Sequence, residues 1–118
     1  PYTTKKLKNG WMLPHPTFFV KSSIYKQFGL YNTSLHMAAD YDMIIRLLYK
    51  FNISANYIPM ILVKMRTGGA SNASIFDRLI ANRQDGLAWT KNQLNKPYFI
   101  RIKKPLQKIM QFFQKPKI

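Results

Sequence analysis

Met37-Ala38-Ala39-Asp40-Tyr41-Asp42-Met43-Ile44-Ile45-Arg46-Leu47-Leu48 decides how the rest of the chain is read. No Gly or Pro falls between Met37 and Phe51, so the stretch is expected to form a helix of about three turns. At roughly 100° per residue, Ile44, Leu47, Leu48 and Phe51 lie within about 80° of Asp40. Asp40 therefore sits over the apolar stripe. Asp42, Arg46 and Lys50 recur at i, i+4 and i+8 on the opposite face. The acid precedes the base there, which is the favourable order for a helical pair. Asp42 and Arg46 are accordingly read as a supporting pair on a solvated face. Asp40 alone points toward the protein, at the positive end of the helix. Two explanations stay open for it: an acid that satisfies loose backbone N–H groups, and a functional carboxylate.

Outward from this helix, composition bounds the answer. The chain has 118 residues, of which 47% are hydrophobic, enough for one domain and too many for a disordered chain. From its start at Pro1, with Lys5, Lys6 and Lys8 and no apolar run behind them, the chain is expected to carry no signal peptide and to be a piece of a longer protein. No apolar run reaches the length that spans a bilayer. Cysteine is absent, which excludes a disulfide framework and a thiolate metal site. The formal charge is +15, from 19 Lys and Arg against 4 acids. Such a balance attracts polyanions: nucleic acid, anionic lipid or phosphorylated substrates. No acid follows Asp85, whereas Lys91, Lys96, Arg101, Lys103, Lys104, Lys108, Lys115 and Lys117 do. Much of the excess thus belongs to a tail.

Residues 1–10 are polar and basic and are expected to be a connector or mobile loop. In Pro14-His15-Pro16 two prolines bias His15 toward an extended conformation. Thr17-Phe18-Phe19-Val20 has the composition of a short buried strand. A rigidly held His beside a strand is a site candidate, and a structural His bonded in a turn is the competing reading. Ser22 is a candidate N-cap for a helix from Ser23 to Phe28, closed by Gly29. Tyr57 to Met65 reads as a second strand, with Pro59 marking an edge or a bulge. Arg66-Thr67-Gly68-Gly69-Ala70-Ser71-Asn72 has the makings of an anion-binding turn. Gly68 and Gly69 would allow close backbone approach, while Arg66 and Ser71 supply donors. It is also the composition of an ordinary loop. Ser74 with Asp77 would cap a helix from Ile75 to about Leu94, interrupted or bent near Gly86. The tail, residues 98–118, places Leu106, Ile109, Met110 and Phe113 on one face among lysines. That is the pattern of a basic amphipathic helix, able to lie on an anionic membrane or to dock on the protein.

Three pieces in order, Pro14-His15-Pro16-Thr17-Phe18-Phe19 with Tyr25 and Gly29, Ala39-Asp40-Tyr41-Asp42 running to Arg46-Leu47, and Met65-Arg66-Thr67-Gly68-Gly69-Ala70-Ser71-Asn72, together resemble a known family. They are similar to the C-terminal half of a family 2 glycosyltransferase of GT-A fold, of the bacterial exopolysaccharide or colanic-acid type. The likeness covers roughly residues 9 to 114. It implies an α/β fold portion with a few strands flanked by helices, followed by the basic tail. Residues 11–74 would be the acceptor-side half of the catalytic domain, and 75–97 a helix.

The same resemblance implies an inverting transfer from a nucleotide-sugar donor to a glycan or lipid-linked acceptor. Asp40 maps to the catalytic base, although Ala39 stands where many members carry Glu. His15 maps to the acceptor side of the cleft, and Arg66, Gly68, Gly69 and Ser71 to the loop over the donor diphosphate. Inversion needs a base for the acceptor hydroxyl and cations for the leaving diphosphate. The nucleotide-binding units and the Asp-x-Asp metal motif are expected in a missing half. A divalent metal, Mg or Mn, would be bound mainly there, with no metal ligand in this chain. The location implied is cytoplasmic, with peripheral contact on the inner face of the membrane. The alternative is a non-enzymatic basic module that binds nucleic acid or anionic membrane. It rests on charge alone, without a nucleic-acid recognition motif.

Overall fold

Leu7 is fully buried although Lys5, Lys6 and Lys8 surround it in sequence. It is the apolar residue of helix α1 (Thr4–Lys8). Thr3 caps this helix, its hydroxyl oxygen accepting the Lys6 N–H at 3.3 Å, as N-cap threonines do. Leu7 joins Ile44 and Leu48 in a core cluster bordered by Trp11, Leu13 and Phe18. Within the expected connector at 1–10, Thr4–Lys8 is therefore corrected to a capped helix held by one leucine. The computed structural model describes residues 3–66 and 75–97, with side chains of the second span from Ile80 onward. The expected anion-binding residues Gly68, Gly69 and Ser71, the Ser74–Asp77 cap and the basic tail lie outside them.

The central helix forms where expected, in two parts. Helix α3 (Ala39–Ile44) continues as a π-helix, Ile45–Lys50, which the Phe51 N–H closes on the Arg46 carbonyl at 3.0 Å. One side packs Ala38, Tyr41 and Ile45 with Leu35, Ala88 and Trp89, the last two from helix α4 (Ile75–Lys91). The other side supplies Ile44 and Leu48 to the Leu7 cluster. Tyr41, Asp42, Met43 and Ile44 are consequently all buried. The solvated face read for Asp42 and Arg46 is corrected: Asp42 is 1% exposed, because α4 covers it. Widened π turns also shift the register downstream. Phe51 ends up half exposed against Phe28, with ring centroids 4.7 Å apart.

Helix α2 (Ser22–Phe28) ends on Gly29, whose φ of 89° is open to glycine and whose N–H bonds the Tyr25 carbonyl at 2.9 Å. Ser22 lies in the first turn; the N-cap is Lys21, which makes no side-chain cap bond.

Neither expected strand is formed. His15–Thr17 is a 3-10 turn, with the Thr17 N–H on the Pro14 carbonyl at 3.0 Å and the Phe18 N–H on His15 at 3.0 Å. Pro16 stands inside that turn, where its missing N–H is harmless. From Tyr57 to Met65 the chain runs without secondary structure, and Met60 bonds back to Ile58 at 2.8 Å around Pro59. That tight turn interrupts a ladder. Met60, Ile61 and Met65 are exposed. Extended apolar segments need a neighbouring strand to pair with, and none exists among the described residues.

Helix α4 runs unbroken through Gly86 and stops at Lys91, short of Leu94. Gln93 takes a positive φ of 60°, and the Leu94 N–H turns back to Trp89 at 3.0 Å, the geometry of a helix end. The interruption read near Gly86 does not occur. A Cβ there would meet only the flexible end of Lys96, whose Cε stands 2.5 Å away. Gly86→Ala is expected to raise stability by about 0.5–1 kcal/mol through helix propensity. Urea denaturation checks it, and a loss of stability would show that Lys96 is held rigidly. No helix of the described residues is long and apolar enough to cross a membrane.

Candidate functional site

The 3-10 turn and the start of α3 bring together two of the residues singled out in the sequence. His15 Nδ1 lies 3.0 Å from Asp40 Oδ2, with the His15 side chain 56% and the Asp40 side chain 30% exposed. The other carboxylate oxygen, Oδ1, accepts the Tyr41 N–H at 2.9 Å. The two readings of Asp40 are therefore both occupied: one oxygen serves the helix start, and the other faces an imidazole. It does not point into the core as the helical wheel implied. It stands at the rim.

His15 is held by backbone geometry rather than by burial. Pro14 enters the turn with φ −63° and ψ 110°, the conformation that proline fixes before a turn. The Thr17 hydroxyl donates to the Pro14 carbonyl at 2.8 Å, which locks the turn from its far side. A short turn pinned at both ends presents its ring in a defined direction. His15 was expected in an extended conformation; both flanking prolines act instead to fix the 3-10 geometry.

Two tyrosines complete the neighbourhood. Tyr25 and Tyr31 stand with ring centroids 6.1 Å apart. The Tyr31 phenol is pushed above its usual range by burial first, then by its hydrogen bond and proximity to Tyr25 and by the charge of Asp40. It therefore stays a neutral hydroxyl beside the carboxylate. No periodic pattern marks Tyr31 in the sequence; it lies in the connecting loop after Gly29.

Asp42 and Arg46 form a separate, internal network. Asp42 Oδ2 lies 3.3 Å from Arg46 Nη1, and Oδ1 accepts from Asn92 Nδ2 at 2.7 Å. Asn92 Nδ2 also donates to the Ala88 carbonyl at 2.8 Å. Arg46 Nη2 donates to the Leu30 carbonyl and approaches Met43 Sδ at 3.3 Å. The i, i+4 pair is thus present, but it staples the central helix to α4 and to the loop after α2. Asp42→Asn is expected to lower stability by about 1–3 kcal/mol, because it leaves Arg46 without its buried counter-charge. The urea midpoint measures this, and an unchanged midpoint would show that the pair does not hold the helices together.

Arg66 is exposed at the end of the first described span, and is not brought to the His15–Asp40 pair. An open cavity of about 760 Å³ lies between segments 11–24 and 53–62, lined by Trp11, Phe18, Leu48, Tyr57, Met60 and Leu62. Pro14 and Thr17 also border it, so the turn that carries His15 forms part of its wall. Among the described residues no three His, Cys, Asp or Glu groups come together to hold a metal ion. The His15–Asp40 pair by itself does not fit a divalent cation, which takes several oxygen ligands. No family model, no curated protein and no solved structure matches the chain.

Proposed function

We propose that the chain is the base-bearing, acceptor-side half of an inverting glycosyltransferase of GT-A fold. It moves a sugar from a nucleotide-sugar to a glycan or lipid-linked acceptor, with Asp40 as the general base. The observation that carries the reading is the 3.0 Å approach of Asp40 to His15 at an accessible rim. Those residues come from two of the three sequence pieces in which the resemblance lies, and they meet in space. A partly exposed carboxylate with one oxygen committed to an imidazole has the access and the polarity that removal of a hydroxyl proton requires.

The nucleotide-binding part, with its divalent metal, belongs to residues outside this sequence. The bare apolar run at 57–65 supports that arrangement, since a large exposed apolar stretch marks a surface that something else covers. The basic tail would keep the enzyme at the inner face of the cytoplasmic membrane, near a lipid-linked acceptor. The test is nucleoside diphosphate release by the full-length protein carrying this chain, across a panel of nucleotide-sugars with membrane-extracted acceptor. Acceptor-dependent release with at least one donor is expected. Its absence throughout the panel contradicts the reading.

A further inference from the structure

We infer that Tyr31, braced by Tyr25, is the platform on which the terminal sugar ring of the acceptor lies while Asp40 takes the proton of its hydroxyl. The inference rests on the transferase reading above and names the end of the acceptor: a pyranose, free or carried on a lipid. The two phenol rings stand with centroids 6.1 Å apart and planes at 38°. Tyr31 is nearly half exposed although it packs on this neighbour. The face of an aromatic ring carries partial negative charge and attracts polarised C–H groups. One face of a pyranose is a surface of such C–H groups, and the hydroxyls lie around its edge. Stacking on a phenol therefore holds the sugar and leaves its hydroxyls free for the groups beside the ring. A tyrosine does this at low entropic cost, because its side chain has few rotamers to lose.

The loop that presents Tyr31 is held on both sides of it. The Leu30 carbonyl accepts from Arg46 Nη2, and the other terminal nitrogen of Arg46 meets the buried Asp42. The Asn32 side-chain oxygen accepts from the Ser34 N–H at 3.2 Å and from its hydroxyl at 2.7 Å, and Leu35 is buried in the core. Tyr31 shares a hydrogen bond with Tyr25 and lies within the field of Asp40. The base and the aromatic face thus border one space at the rim. Each carboxylate oxygen offers two lone-pair sites, so Asp40 Oδ2 can face His15 at 3.0 Å and still accept from a sugar hydroxyl. A sugar hydroxyl needs a base as it attacks carbon, whereas a phosphate oxygen is already ionised and needs none. A base beside an exposed phenol therefore fits a saccharide end rather than a bare lipid phosphate.

The experiment compares Tyr31→Ala and Tyr31→Phe with the wild type in the full-length protein. Kinetics use the membrane-extracted acceptor and the saccharide released from it by mild acid. Tyr31→Ala is expected to raise the acceptor KM about tenfold with the donor KM unchanged. Tyr31→Phe keeps the ring and stays within about threefold of the wild type. The rise with the released saccharide identifies a free glycan as acceptor, and the rise with the lipid-linked form alone identifies a lipid-carried one; both support the platform. Saturation-transfer NMR with methyl β-glucoside, methyl β-galactoside and methyl β-N-acetylglucosaminide reads the contact without turnover. Saturation of the C–H protons of at least one glycoside is expected, lost in Tyr31→Ala and kept in Tyr31→Phe. An acceptor KM unchanged by Tyr31→Ala overturns the inference and leaves the transferase reading standing. Saturation that depends on the Tyr31 ring, in a protein that transfers no sugar, removes the transferase reading and keeps the sugar platform. Absence of both transfer and saturation overturns both. Where the alanine variant fails to fold, Tyr31→Leu, which keeps bulk without the aromatic face, takes its place with the same expectation.

Discussion

Asp40→Asn is expected to leave the fold intact and to lower turnover by about 10²–10⁴ in the full-length protein. The amide keeps the size of the carboxylate, and its oxygen still accepts the Tyr41 N–H that Asp40 Oδ1 accepts at 2.9 Å. What it loses is the charge and the second acceptor facing His15 at 3.0 Å. The side chain is partly solvated, so the stability change stays within about 1 kcal/mol. Nucleotide-sugar affinity is expected to hold, because the effect falls on the chemical step. Steady-state kinetics and a denaturation curve on the same preparation separate the two effects. If turnover is unchanged and only the melting point drops, Asp40 is an acid of the helix start and nothing more. Asp42→Asn is the contrasting variant, and it contrasts in stability: its carboxylate is buried against Arg46 and Asn92 and reaches no solvent.

Trp89→Ala is expected to destabilise the chain by about 3–5 kcal/mol, the range for removing a large buried aromatic side chain. Trp89 is fully buried and lies at the centre of the cluster of Leu35, Ala38, Tyr41, Ile45 and Ala88. Its ring meets Tyr49 edge-on, with centroids 4.9 Å apart. Its indole N–H donates to the Tyr41 hydroxyl at 2.9 Å. Burial pushes the Tyr41 phenol far above its usual range, with the Trp89 bond opposing and Asp85 adding to the shift. The hydroxyl is therefore fixed in its neutral form at ordinary pH. Domains hold roughly 5–15 kcal/mol of net stability, so the alanine variant should unfold at much lower urea. Trp89→Phe keeps most of the volume and is expected to lose about 1–2 kcal/mol, the worth of the hydrogen bond and the residual gap. An alanine variant within 1 kcal/mol of the parent would mean that α4 does not pack on the central helix.

The central helix was legible because its signal is local: an uninterrupted run with apolar residues at helical spacing. Gly29 as the end of α2 was legible for the same reason, since a positive φ after an apolar turn calls for glycine. The environment of each face was not legible. A helical wheel assumes one core side and one water side, whereas this helix is wrapped by α1 and α4 on two sides. Asp42 and Asp40 therefore exchange environments relative to the wheel. No rule of spacing announces Asn92, fifty positions away along the chain, as the partner of Asp42.

The β-rich runs were misread for a related reason. Thr17 to Val20 and Tyr57 to Met65 have the composition of strands, but strand formation depends on a partner that composition cannot supply. Pro16 and Pro59 acted locally instead, one inside a 3-10 turn and the other inside a tight turn. Among lysines at 1–10 the single Leu7 weighed little in the sequence and much in the core. The site itself was half legible. His15 and Asp40 were each singled out, while their direct pairing and the flanking Tyr31 emerged only from the fold.

The most direct measurement of the central claim is the anomeric configuration of the product. The full-length protein would be supplied with an α-linked nucleotide-sugar and its acceptor, and the new glycosidic linkage read from its ¹H coupling constant at the anomeric position. A single displacement driven by one base, Asp40, predicts inversion, a β-linked product from an α-linked donor. An α-linked product would mean net retention, which a single back-side displacement cannot give, and would contradict the account.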